Sequence, residues 1–137
     1  MRAVSSTAIR TFEDLECWNR CRVLRLFVAK QVVPVLPREE RYRLGDQLLR
    51  AARATTANIA EGYGRFHYLD NAKFCSNARG SCWETLDHLI TGSDAGLIAT
   101  ELLNQGRTLV NEAVKVLNGY MSYLKRAHRT RPATNNE

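Results

Sequence analysis

Close cysteine pairs, long apolar runs and helix breakers are all scarce in this chain of 137 residues. The four cysteines, Cys17, Cys21, Cys75 and Cys82, include no C-x2-C pair, which removes zinc ribbons and fingers. Their spacings of four and seven read as small apolar positions on helices. The longest apolar run, Leu26-Phe27-Val28-Ala29, stops at Lys30, far short of the ~18 residues of a membrane span. No apolar core of a secretory leader precedes Glu13, so a cytoplasmic protein without a membrane partner is expected. Three prolines and eight glycines are few, and they group at Pro34/Pro37, Gly62/Gly64 and Gly92/Gly96. With Leu, Ala, Arg and Glu abundant between them, helix is favoured over strand. A hydrophobic share of 45% excludes disorder throughout, and the length fits one domain.

What is present is periodicity. Leu15, Trp18, Cys21, Leu24, Val28 and Val32 recur at three and four, the stripe of a core-facing helix that starts near Thr11 and ends at Pro34 or Pro37. Leu44, Leu48, Ala51/Ala52, Thr55 and Ile59 mark a second helix opening at Pro37 or Arg38, with Gly62 and Gly64 as its stop. A third runs from about Tyr68 to Thr91 on Leu69, Phe74 or Cys75, Ala78, Cys82, Leu86 and Leu89/Ile90. A fourth spans about Ala99 to Ala127 on Leu102, Leu109, Ala113, Val116/Leu117, Tyr120 and Leu124. Four amphipathic helices with short turns predict an all-α, up-down-up-down four-helix bundle over residues 12–127. Residues 1–11 and 128–137 are expected to be disordered.

Charge is the second signal. The net formal charge is +6, and sixteen of the twenty cations are arginine. Residues 20–53 alone carry nine Arg or Lys against three acids, whereas residues 54–124 are slightly acidic. Acids are too scarce near Arg20, Arg22, Arg25, Arg50 and Arg53 for ion pairing to absorb them all. Guanidinium groups suit bidentate contacts to phosphate, so this hairpin reads as a polyanion-binding surface with Arg65 as an outlying member.

The polar pattern of the second helix is equally distinctive. Gln47, Asn58 and Glu61 sit among small apolar residues, where an unpaired buried polar group costs about 1–3 kcal/mol. A buried network of Gln47, Asn58, Glu61, Ser81 and Glu84, tying the second helix to the third, is therefore expected.

Several motifs stand in order: Phe12-Glu13-Asp14-Leu15 with Trp18; Pro37; Gln47-Leu48-Leu49-Arg50-Ala51-Ala52; Asn58-Ile59-Ala60-Glu61-Gly62-Tyr63-Gly64-Arg65; and Ala78-Arg79-Gly80-Ser81 with Glu84. Over roughly residues 12–90 the chain resembles the small four-helix-bundle proteins encoded within intervening sequences of bacterial large-subunit ribosomal RNA genes. Their superfamily includes the accessory variability protein of diversity-generating retroelements. The resemblance implies a left-handed bundle assembling as a ring-shaped homopentamer with a basic surface. The retroelement relatives bind nucleic acid and a reverse transcriptase, and no catalytic residues are established for the family. Cys21 and Arg53-Ala54-Thr55-Thr56 depart from the family's pattern, the first touching packing and the second surface charge.

Catalytic constellations are not evident. His67, His88 and His128 pair with no nucleophile at a recognisable spacing, and Arg79-Gly80-Ser81 is not a nucleophile elbow. Glu61 and Glu84 lack the Glu-x-x-His motifs of a di-metal carboxylate bundle. The expectation is a non-enzymatic homo-oligomer, without cofactor or metal, that binds structured RNA with low sequence specificity. The alternative is a protein-interaction scaffold that recruits an acidic partner or a polymerase, with nucleic acid incidental.

Overall fold

The computed structural model describes residues 8–130. Its long elements are α1 (Glu16–Phe27), α2 (Leu44–Tyr63), α3 (Tyr68–Asp94) and α4 (Thr100–Thr130), with no strand among the described residues. Each helix packs on its chain neighbours, and α4 closes against α1. Gly45 lies near Val33 and Leu36 while Arg25 reaches Thr56, Gly62 meets Asn71 across the next turn, and Gly106 lies near Leu89 while Asn71 reaches Tyr120, so successive helices run antiparallel. The chain is therefore an up-down-up-down four-helix bundle, as its periodicity predicts.

The element boundaries correct several expectations. The first helix does not begin at Thr11. Instead Phe12–Asp14 make one 3-10 turn, because the Asp14 carboxylate folds back to accept the backbone N–H groups of Arg10 (2.9 Å) and Thr11 (3.2 Å). Leu15 is extended, and α1 starts at Glu16; the Asn19 side chain ties the two pieces by donating to the carbonyls of Glu13 and Leu15. Pro34 lacks the N–H that would serve the Lys30 carbonyl, and the helix changes winding ahead of it, to a π turn at Val28–Val32 and a 3-10 turn at Val33–Val35. Arg38–Tyr42 are 3-10 rather than the start of α2, which follows a break at Arg43. The Arg41 guanidinium holds this corner through the carbonyls of Leu36 and Pro34, both at 3.2 Å. At the other end α4 continues through His128 to Thr130, three residues into the segment expected to be disordered. The rest of that segment, and residues 1–7, lie outside the described residues.

The core is built from Leu24, Val28, Leu48, Ile59, Leu89, Val110, Leu117 and Leu124, interleaved with Ala, Cys and Thr. Thr55 and Thr85 are fully buried yet satisfied, each donating to a carbonyl of its own helix, Ala52 at 2.6 Å and Ser81 at 2.8 Å. Gly62 is not a helix stop: it lies within α2, where a Cβ would stand 2.7 Å from Asn71 Oδ1 and 3.0 Å from the Asn71 carbonyl oxygen. Gly64 ends α2 with a helical φ of −75°. The left-handed glycine is Gly96, at φ 75° in the α3–α4 turn.

Gly62→Ala is therefore expected to destabilise the protein by about 1–3 kcal/mol through overpacking against α3. Gly119→Ala, where an added methyl meets nothing within 4 Å, is expected to stabilise it by up to about 1 kcal/mol. Urea unfolding midpoints for the two variants check the opposite signs.

Candidate nucleic-acid interface

Antiparallel packing of α1 and α2 puts two polar stripes side by side. Trp18, Arg22 and Arg25 recur at four and three on α1; Arg50, Arg53, Ala57 and Ala60 recur at three and four on α2. Between them lies an open groove lined by Phe12, Trp18, Arg25, Arg53, Thr56, Ala57 and Ala60. The small side chains of Ala57 and Ala60 leave it unfilled. Phe12 and Trp18 meet edge to face at 5.4 Å at one end. Arg25 donates through Nη1 to Thr56 Oγ1 at 2.8 Å, which fixes its guanidinium across the groove.

The six arginines singled out in the sequence do not form one surface. Arg25 and Arg53 line the α1–α2 groove, Arg22 and Arg50 are exposed one turn away on the same helices, and among the described residues none of the four takes part in an ion pair. Arg20 faces the opposite way, towards α4, with Glu16 at 3.5 Å and Glu112 at 3.6 Å. Arg65 sits at the α2–α3 turn, 2.7 Å from Glu61 and stacked over the Phe74 ring at 4.7 Å.

The buried polar network does not form. Gln47, Glu61 and Glu84 are exposed, and Asn58 and Ser81 are half-buried. Glu61 pairs with Arg65, Glu84 with His88 at 3.2 Å, and Asn58 donates to the Ala54 carbonyl of its own helix at 2.8 Å. The buried polar side chains are Thr55, Thr56, Asn71 and Thr85 instead. The three threonine hydroxyls fit among apolar residues because a carbonyl of their own helix is in reach, and Asn71 is met by the Tyr120 hydroxyl.

Tyrosine was the missed signal. Four of the five tyrosines, Tyr63, Tyr68, Tyr120 and Tyr123, line a cavity of about 490 Å3 with Phe66, His67 and Asn71 at the end of the bundle. The i,i+3 spacing of Tyr120 and Tyr123 and the placement of Tyr63 and Tyr68 on either side of one turn carried that information.

The four cysteines are buried in the middle of the bundle, with Cys21 Sγ and Cys82 Sγ 3.8 Å apart across its diagonal. Either thiol can donate to the other, and the contact with Cys21 together with burial pushes the Cys82 thiol strongly up. Burial pushes Cys75 up to about 12, and Cys17 higher still. Among the described residues no cluster of three His, Cys, Asp or Glu could hold a metal, and no helix is long and apolar enough to cross a membrane.

A family model described as 23S rRNA-intervening sequence protein matches residues 13–119. The chain belongs to that family. The match spans most of the described bundle, from the 3-10 turn ahead of α1 to two-thirds of the way along α4, and includes Arg22, Arg25, Arg50 and Arg53. No curated protein matches the chain.

An aromatic disulfide reagent such as DTNB is expected to leave the native thiols essentially unmodified at pH 7–8, since burial blocks access to all four and suppresses deprotonation of Cys17, Cys75 and Cys82. All four thiols should react in denaturant, and the released chromophore counts them.

Proposed function

We propose that this member of the 23S rRNA-intervening sequence protein family is a non-enzymatic bundle that binds RNA along the α1–α2 groove. One observation carries the reading: Arg25 and Arg53 line a groove between α1 and α2, Arg22 and Arg50 are exposed on the same two helices, and among the described residues none of the four takes part in an ion pair. Helix surfaces that carry cations for solubility alone intersperse them with acids. Four guanidinium groups flanking a groove instead form a track for backbone phosphates, and Phe12 and Trp18 add aromatic edges beside it. Contacts of this kind position a nucleic acid but do not read its sequence, so low specificity follows. The family resemblance supports a homo-oligomer, and the exposure of Trp83 (45%) on α3 is consistent with a subunit contact there. A ring would repeat the track once per subunit and add avidity. The cytoplasm, where ribosomal RNA resides, is the compartment that fits this role.

Salt-titrated filter binding tests the track. Wild type should show a steep fall of affinity with ionic strength, and Arg22→Glu/Arg50→Glu/Arg53→Glu should flatten the slope by about 2–3, at ~0.7–0.9 per lost phosphate contact. RNA affinity that is undetectable at low salt, or a slope unaltered by the triple variant, removes the reading. Retained capture of an acidic protein by wild type, lost in the triple variant without any RNA binding, would favour the scaffold alternative.

For assembly, Trp83→Glu is expected to lower the mass measured by light scattering without lowering helicity. An unchanged mass places the subunit contact elsewhere.

A further inference from the structure

We infer that the tyrosine-lined cavity at the end of the bundle receives an unpaired nucleobase of the RNA strand whose phosphates lie on the α1–α2 track, so the inference rests on that proposed function. Three elements converge there: the α2–α3 turn, the C-terminal half of α4 and the segment before α1. Tyr120 and Tyr123 lie nearly parallel, with centroids 6.1 Å apart and an interplanar angle of 16°. They form a flat aromatic wall, with Phe66 (72% exposed) and His67 edge to face at the mouth. A wall of this kind stacks any base, and about 490 Å3 lies within the range of pockets that enclose small ligands.

The polar groups are suited to a base edge. Asn71, buried to all but 7%, donates through Nδ2 to the Tyr120 hydroxyl at 3.1 Å. The hydroxyl oxygen thus accepts from Asn71, and its own proton can be donated to a ligand acceptor. Burial raises the Tyr120 pKa well above its usual range, so it remains a donor at any physiological pH. A ring nitrogen or carbonyl oxygen of a base is an acceptor of the required kind.

Charge decides between a base and a free nucleotide. Arg65 and His67 line the cavity, but so do the carboxylates of Asp14 and Glu16. Asp14 accepts two backbone N–H groups and Glu16 pairs with Arg20, so the cavity lining mixes carboxylates with cations and offers no cationic excess for a free phosphate. A neutral planar group is favoured inside, and the phosphates are left outside. The arginine groove supplies a place for them close by: Phe12 lines the groove, and Asp14, two residues on in the same 3-10 turn, lines the cavity. One strand can therefore rest its backbone on the track and turn one base into the pocket.

Fluorescence of single-stranded RNA carrying 2-aminopurine tests this. Binding should quench the probe in the unpaired strand and not in a fully paired duplex. Tyr123→Ala, at an exposed position, and Phe66→Ala should each weaken single-strand binding about tenfold, with unchanged melting temperature. An abasic nucleotide in place of the probe should cost a similar factor. If strands bind with full salt dependence but the abasic substitution and both variants have no effect, the base site is overturned and the phosphate track stands. If adenosine monophosphate shifts the tyrosine ring resonances in wild type but not in Tyr123→Ala, while no strand binds, the strand as source is overturned and the track fails with it.

Discussion

Everything at the cavity end of the molecule depends on how closely α2 approaches α3 at Gly62. With hydrogen in place of a methyl, the α2 backbone comes close enough for Asn71 and Phe74 to occupy the space a Cβ would need. Asn71 is thereby held in the interior and can reach across to Tyr120 on α4. One missing methyl group sets the spacing of α2 and α3, and one hydrogen bond carries that spacing to α4. The turn that follows, with Tyr63, Arg65, Phe66 and His67, is then placed over the end of the bundle, and the cavity is the space left between it and Tyr123.

Along the rest of the molecule the interior is kept free of obligations to the surface. Thr55 and Thr85 bond to their own helices, and among the described residues no buried side-chain nitrogen or oxygen lacks a partner. Replacement of a threonine hydroxyl by a methyl would be close to isosteric there, so these groups add little to the specification of the fold. Polar specificity is concentrated instead at Asn71–Tyr120 and Arg25–Thr56, one joining α3 to α4 and the other α1 to α2.

Fold class was legible because periodicity survives burial. The stripe Leu15, Cys21, Leu24, Val28 and Val32 is buried almost as read. Boundaries were less so. Asp14 ends a 3-10 turn by folding back, and Pro34 alters winding before it stops the helix; both depend on local hydrogen bonds that hydropathy does not encode. Gly62 was read as a stop because glycine commonly ends helices, whereas close approach of a neighbour is visible only once α3 is in place. The polar network failed for a related reason. Gln47, Glu61 and Glu84 lie on outward faces of helices that also carry small residues, and small residues face outward as readily as inward. On α4, Leu109 is half-buried and Val110 fully buried, a shift of one position that an alternating pattern of Leu and Val cannot resolve.

The arginines were legible as a charge excess but not as a surface, since their facing depends on which neighbour each helix acquires. On α1, Arg20 and Arg25 are five apart, about 140° around the helix, so α4 takes one and α2 the other. The ion pairs of Arg20 and Arg65 are exposed and worth at most about 1 kcal/mol each, so they do not hold the bundle together. Their consequence is electrostatic. They offset charge on the α4 flank and at the α2–α3 turn, whereas Arg22, Arg25, Arg50 and Arg53 on α1 and α2 take part in no ion pair among the described residues. On the proposed reading, a polyanion is held by the cationic stripe that α1 and α2 share. That stripe runs, through the Phe12–Asp14 turn, to a cavity whose lining offers no cationic excess for a free phosphate.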